Sequence, residues 1–517
     1  MIETLLSLFF DVGIKSFFKK DFRERQALFL CIKDKSEALN DIHILGSEKV
    51  LERTLFFICL DVRRSEKFLV LLSDKVIEPQ FIGVIRSYKN IYYQIVPINW
   101  ENTKVLHRLF PFTKPISLRA KKTTFGCGDR IGLATAGHIQ AISAYGEVYP
   151  VLAQQSIREL NLTKRNYRDI IAEVSFQVFQ EGFERGYGAD GDHLKTIEDI
   201  NLALDAEMPM ITLDLSDHLH PAVFKWSDDE IVRSFAKLSL DDRNFVIDLF
   251  LGKKWEIKGE QYVPSQTEIE RCTLIYLEAI RYTKIVDDHL QDRRGHDYDL
   301  EISIDETTTP TLPFHHLFVA TCLSALNVRF TSLAPRFIGE FQKGIDYLGN
   351  INEFRKQFVQ HVAIADYFGF YKISVHSGSD KYSVFRIIGD VTRMKLHVKT
   401  SGTSWLEALR VVATTDPALY RKIHKKALCF FDTASGYYHV TCQLEKIPPL
   451  SEITDGQLVA YLDHDDSRQL LHISYGGILN DLQLRFDFFT TIFENLDMLD
   501  RYERENMERH LKKLNGG

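Results

Sequence analysis

Apolar and polar residues alternate along this chain with two distinct rhythms, and the change of rhythm marks its organisation. Residues 1 to about 115 carry short apolar runs at 28–32, 55–60, 68–72, 81–84 and 91–96. Runs of this kind read as strands among short helices, so 1–115 is expected to be a small α+β domain with a structural role. From Thr123 onward, short apolar runs end in polar clusters and give way to helical patterns, the alternation of βα units. Eight such strands can be read: one entering Gly126-Cys127-Gly128-Asp129-Arg130, then 148–153, 187–194, 210–215, 300–305, 331–338, 371–375 and 395–399. A mostly helical insertion occupies 219–299, and beyond about Thr415 the chain is helical again, with a hairpin over 457–479 and an amphipathic helix over 487–514. That last helix, rich in Glu and Arg, reads as a solvated face or an oligomer contact.

Eight units over about 290 residues fit a closed barrel. The alternative, an open doubly wound sheet, wants a GxGxxG opening that the first unit lacks. The expected fold is therefore α/β: a (β/α)8 TIM-type barrel at 116–415, with the α+β domain at 1–115 before it and a helical extension at 416–517 packing on it. Alternation within the strands supports closure. Tyr371, Ile373 and Val375 oppose Lys372, Ser374 and His376; Leu396 and Val398 oppose His397 and Lys399; Ile211, Leu213 and Leu215 oppose Thr212, Asp214 and Ser216. In a barrel the apolar face lies under the helices and the polar face points into the lumen.

Composition narrows the function. A net charge of −7 over 517 residues argues against a general nucleic-acid binder. The seven cysteines form no CxxC pair, which suits reduced thiols in the cytoplasm better than a disulfide framework. No apolar stretch approaches the ~18 residues of a membrane span, so no membrane partner is expected, and a homo-oligomer remains open.

Ionisable groups at the carboxyl ends of several barrel strands read as catalytic in this fold; on any single strand a rim salt bridge is the plainer reading. Asp190, Asp192, His193 and Lys195 end the third strand, Asp217-His218 the fourth and Asp305-Glu306 the fifth. With His376 and His397 they supply imidazoles and carboxylates for a divalent metal, although no local HExxH or EF-hand spacing is present. The loops 376–381 (HSGSDK) and 400–403 (TSGT) follow strands seven and eight, where barrels bind anions. Beside Lys381 and Lys399 they point to a carboxylate or phosphate. His472 is left between packing and a place at the barrel mouth.

The segments 126–138 (GCGDRIGLATAGH), 151–160 (VLAQQSIREL), 179–196 (FQEGFERGYGADGDHLKT), 214–218, 302–307 (ISIDET), 374–381 (SVHSGSDK), 397–410 and 467–476 (SRQLLHISYG) together resemble the tagaturonate epimerase family. Ala136 stands where that family's pattern leads one to expect proline, and the insertion after strand four is long. The resemblance implies a metal-dependent interconversion of D-fructuronate and D-tagaturonate, with Zn, Mn, Ni or Co as the divalent ion. These ketoacids differ at a hydroxyl-bearing carbon two bonds from both the ketone and the carboxylate. Inversion therefore needs either retro-aldol cleavage and re-formation, or proton or hydride movement at that carbon. The assignments that follow are Asp192 as base and Glu306 as acid, with His193, His376 and His397 as metal ligands. Lys195, Arg336, Lys372, Lys381 and Lys399 are left for the carboxylate and hydroxyls. A metal-dependent aldolase or ketose isomerase, and a non-catalytic sugar-acid sensor, are the alternatives.

Overall fold

The structure is a computed structural model that describes residues 2–37, 39, 41–305, 307 and 309–516. In the N-terminal part an antiparallel sheet is formed by β1 (Ile42–Leu51), β2 (Thr54–Asp61), β3 (Glu66–Ser73), β4 (Ile85–Tyr88) and β5 (Ile91–Pro97), in the order β1-β2-β3-β5-β4. One face is covered by the helices Ile2–Val12 and Phe22–Glu37, whose Phe9 and Phe29 pack on Phe57. The other rests on the barrel: Phe110 lies against Phe56 and against Phe179 of the helix Tyr167–Glu181, with ring centroids 5.2 and 4.9 Å apart.

Two of the apolar runs in this part are not strands. Residues 28–32 lie inside the helix Phe22–Glu37, where Phe29, Ile32 and Ser36 are buried at helical spacing while Leu30 is exposed. A run of five apolar residues carries no period of its own, so helix and strand are not distinguishable from it. Residues 81–84 are irregular, and the strand begins only at Ile85.

The barrel strands are β6 (Thr123–Cys127), β7 (Val148–Ser156), β8 (Gly188–Leu194) and β9 (Met210–Asp214). After the insertion, with its hairpin of β10 (Trp255–Ile257) and β11 (Glu260–Tyr262), come β12 (Asp299–Ile304), β13 (Ser332–Pro335), β14 (Lys372–Val375) and β15 (Leu396–Thr400). All eight barrel strands pair in parallel, and β15 pairs with β6 to close the ring. Leu300, Ile302 and Ile304 face the helices, while Asp299, Glu301 and Ser303 fall on the lumen side of the same strand, all buried.

The helix ring closes in a way the sequence reading did not anticipate. The helix after β15, Thr403–Thr415, packs among the C-terminal helices, and the eighth place is taken by Leu496–Leu514, seated between Thr135–Ser143 and Tyr382–Thr392. Far from being a solvated face, that helix buries Leu499, Glu503, Asn506, Met507, His510 and Leu511. Gly137 permits the approach, since a Cβ there would stand 2.5 Å from the Glu503 Cβ. The single helix expected over 487–514 is two, Leu482–Glu494 and Leu496–Leu514, broken at Asn495. Nor is 457–479 a simple hairpin: its start belongs to the 3-10 segment Asp455–Asp463, followed by the helices Asp465–Ile473 and Tyr475–Leu479. No helix among the described residues is long and apolar enough to cross a membrane.

Candidate active site

Lumen side chains stack in layers from the amino to the carboxyl ends of the strands. At the floor, Lys372 donates to the Lys121 carbonyl at 3.0 Å and to Thr124 Oγ1 at 2.8 Å. In the next layer the fully buried His397 holds Nδ1 2.8 Å from Thr124 Oγ1. Burial, with Lys399 and Lys372 nearby, pushes this imidazole down to about 3 despite Glu301, so it is neutral.

Above it lies a knot of charge. Lys399 Nζ is 2.8 Å from Asp190 Oδ2, 2.7 Å from Asp192 Oδ1 and 3.0 Å from Glu301 Oε1, and it also donates to Thr212 Oγ1. Burial alone would raise the carboxyls, yet Lys399 with His193 holds Asp192, and Lys399 with His376 holds Glu301, well below the usual range. Glu301 also accepts from His376 Nε2 at 2.7 Å. This is the carboxylate–imidazole arrangement that orients a metal-binding histidine.

At the rim, ligand atoms of His193, Asp305 and His376 lie within 4.8 Å of one another. His193 reaches them because β8 bulges. Its register with β9 shifts between Gly191 and Leu194, and His193 adopts a left-handed φ of 55°. A bulge lets consecutive residues serve one face, so Asp192 and His193 both line the cavity, joined by a 2.8 Å contact from His193 Nδ1 to Asp192 Oδ1.

The three donors fit a divalent ion. Two imidazoles and a carboxylate are a donor set for transition metals rather than for magnesium or calcium. Buried His376 Nδ1 stands 3.1 Å from Asp305 Oδ2 yet makes no hydrogen bond to any described residue. Against burial, Asp305 and Glu301 hold the His376 imidazole up to about 10, so the protein here favours positive charge.

A cavity of about 540 Å³ opens above this group. Its lining includes Asp192, His193, Asp305, His376 and Lys399, with Gln154, Ser156 and Glu159 from the β7 end and Arg336 and Lys343 from the segment after β13. Tyr437, Tyr438 and His439 of the C-terminal extension complete the wall. Arg158 fastens that turn, donating to the Tyr437 carbonyl at 2.9 Å and lying 4.4 Å over the Tyr438 ring.

The structure thus brings Asp192, His193, His376, Arg336 and Lys399 to one cavity and separates the other residues named from the sequence. His397 sits two layers below the His193–Asp305–His376 group, beneath the Lys399 knot, and Asp305 stands in its place. Lys372 is at the opposite end of the lumen. Lys381 is fully buried and donates to the carbonyls of Gln342 at 2.8 Å, Ile345 at 2.6 Å and Ser379 at 2.8 Å, leaving no proton for a substrate. Lys195 pairs with Asp217 at 2.7 Å outside the lining. Glu306 lies outside the described residues. His472 is packed, fully buried beneath Gly402.

The chain is similar to known proteins over most of its length. A family model described as tagaturonate epimerase matches residues 46–514. The chain is 36% identical over 452 residues to the tagaturonate/fructuronate epimerase of Thermotoga maritima, covering 87% of this chain and 92% of that protein. The native crystal structure of a fructuronate-tagaturonate epimerase from Cohnella laeviribosi superposes with a TM-score of 0.87 at 40% identity, over 93% of this chain and 98% of that one. A glycerol complex of the Cohnella enzyme matches with the same TM-score, 0.87.

Proposed function

Because the chain belongs to the tagaturonate epimerase family and is an isomerase of the epimerase class, we propose that it interconverts D-fructuronate and D-tagaturonate in the cavity at the barrel mouth. The observation that carries the reading is the convergence, on one cavity, of the His193–Asp305–His376 group with the Asp192–Lys399 pair. His193, Asp305 and His376 would hold a divalent ion of the zinc, manganese, nickel or cobalt type. When bound, that ion supplies Lewis acidity at a substrate oxygen.

The chain's own groups do the rest. Asp192, kept ionised by Lys399 and His193, accepts the proton that must leave the substrate for the hydroxyl-bearing carbon to invert. Glu306 returns a proton, the role its place after Asp305 suggests. Glu301 fixes the His376 ring, and Arg336 offers donors to the substrate's oxygens. The free thiols support a cytoplasmic setting.

The test is product analysis by NMR after incubating protein of known metal content with each ketoacid. Interconversion that stops on chelation and returns with added metal is expected. Release of a smaller fragment as the sole product would make the enzyme an aldolase, and full activity in metal-free protein would remove the ion from the reaction.

A further inference from the structure

Four cationic side chains border the cavity, and three have partners. Lys399 is shared among three carboxylates. Arg336 lies 3.7 Å from Glu340. Arg158 is bound to the 437–438 turn. The fourth, Lys343, makes no ion pair with any described residue; the bond the structure gives its ammonium is a 3.2 Å contact to Ser401 Oγ.

Lys343 is nonetheless held in place. Its carbonyl accepts from Gln469 Nε2 at 3.3 Å, and the next carbonyl, of Gly344, accepts from Arg468 Nε at 2.7 Å. Arg468 is anchored in turn on Asp380 Oδ2 at 2.7 Å. Gln342, on the other side, takes bonds from the Thr441 amide and hydroxyl at 2.9 Å. The C-terminal extension thus grips this loop from behind and presents to the cavity a half-buried ammonium that is unpaired among the described residues.

A charge removed from water is unfavourable unless it is paired. An ammonium fixed at a cavity wall without a protein anion is therefore suited to an anion that arrives with the ligand. We infer that Lys343, with Ser401 beside it, binds the substrate carboxylate and is the residue that selects hexuronates over uncharged ketohexoses.

This rests on the epimerase reading, and the test separates the two. Fructose is the uncharged counterpart of fructuronate. Wild type, Lys343→Gln and Lys343→Arg are compared by turnover of both sugars and by calorimetric binding of fructuronate to the metal-loaded protein. For Lys343→Gln, kcat/KM for fructuronate should fall roughly 30-fold or more, mainly through KM, since truncating one partner of a desolvated charge pair has effects of that size. Fructose turnover should change less than about threefold, which also shows that the variant is folded; a residual rate too low to measure leaves calorimetry to decide. Lys343→Arg should recover most of the acid binding.

Equal losses for acid and neutral sugar, or fructuronate binding unchanged in Lys343→Gln, would overturn the assignment. A wild type that binds fructuronate through Lys343 yet never yields tagaturonate would instead overturn the epimerase reading and leave this one standing.

Discussion

Replacing Lys399 by methionine is the sharpest test of how the lumen is held together. The ammonium lies within 3.0 Å of Asp190, Asp192 and Glu301, and the side chains of Lys399, Asp190 and Glu301 are at most 3% exposed. Methionine fills the volume but leaves three carboxylates facing one another. At an effective dielectric near 20, two charges ~5 Å apart repel by ~3 kcal/mol, and removing one partner from a buried ionic set typically costs ~3–5 kcal/mol. Unfolding entropy of ~2.1 cal/mol/K per residue over 517 residues gives ~1.1 kcal/mol per degree. For unfolding as one unit, Lys399→Met should therefore lower Tm by about 3–5 °C in metal-free protein. The double variant Lys399→Met/Asp190→Asn, with one charge fewer, should regain about half of that loss. Thermal and urea unfolding followed by circular dichroism reads both numbers. A single variant as stable as wild type, or a double variant no more stable than the single, would show that these carboxylates do not depend on Lys399.

Asp192→Asn and Glu306→Gln should each lower kcat by ~10²- to 10⁴-fold, as for a lost proton-transfer group; elemental analysis showing metal lost together with activity would make either residue a ligand instead. Lys381→Met should weaken fructuronate and fructose turnover alike and lower Tm, because three buried carbonyls lose their donor; a loss confined to the acid would restore Lys381 to the substrate site. Removing residues 496–516 should leave no soluble, cooperatively unfolding barrel, since Thr135–Ser143 and Tyr382–Thr392 lose their shared neighbour; a soluble truncated protein with a sharp melting transition would refute this.

The barrel was legible because alternation on β9, β14 and β15 recurs with one sense, apolar outward and ionisable inward. Applied to β12, the same alternation places Glu301 in the lumen between Asp299 and Ser303, so the residue that orients His376 was open to the same reasoning. What period alone does not give is depth. His397 and His376 both fall on lumen-facing positions, yet His397, the second residue of β15, sits in the second layer and His376, just past the end of β14, at the rim. Lys381 stood in a loop with an anion-binding look, but left-handed residues at Ser377 and Asp380 turn that loop, and its ammonium ends among backbone carbonyls. His193 depends on a bulge, which a strand pattern does not announce. Lys343 and the Tyr437–Tyr438 turn were the least visible: they reach the cavity through contacts between segments about 100 to 280 residues apart in sequence.

The borrowed eighth helix bears on how the protein is made. Thr135–Ser143 leaves the ribosome roughly 360 residues before the helix that covers it. At ~5–20 residues per second that interval is about 20 to 70 s. The last barrel strand is complete at Thr400, about 100 residues before that helix, and from then on the groove beside Gly137 stands open and apolar until Leu496–Leu514 seals it. Folding of the catalytic part is thereby tied to synthesis of the helix Leu496–Leu514. A ribosome that stalls within the C-terminal extension holds a chain with every metal-binding and proton-transfer residue in place in sequence and no closed ring to position them.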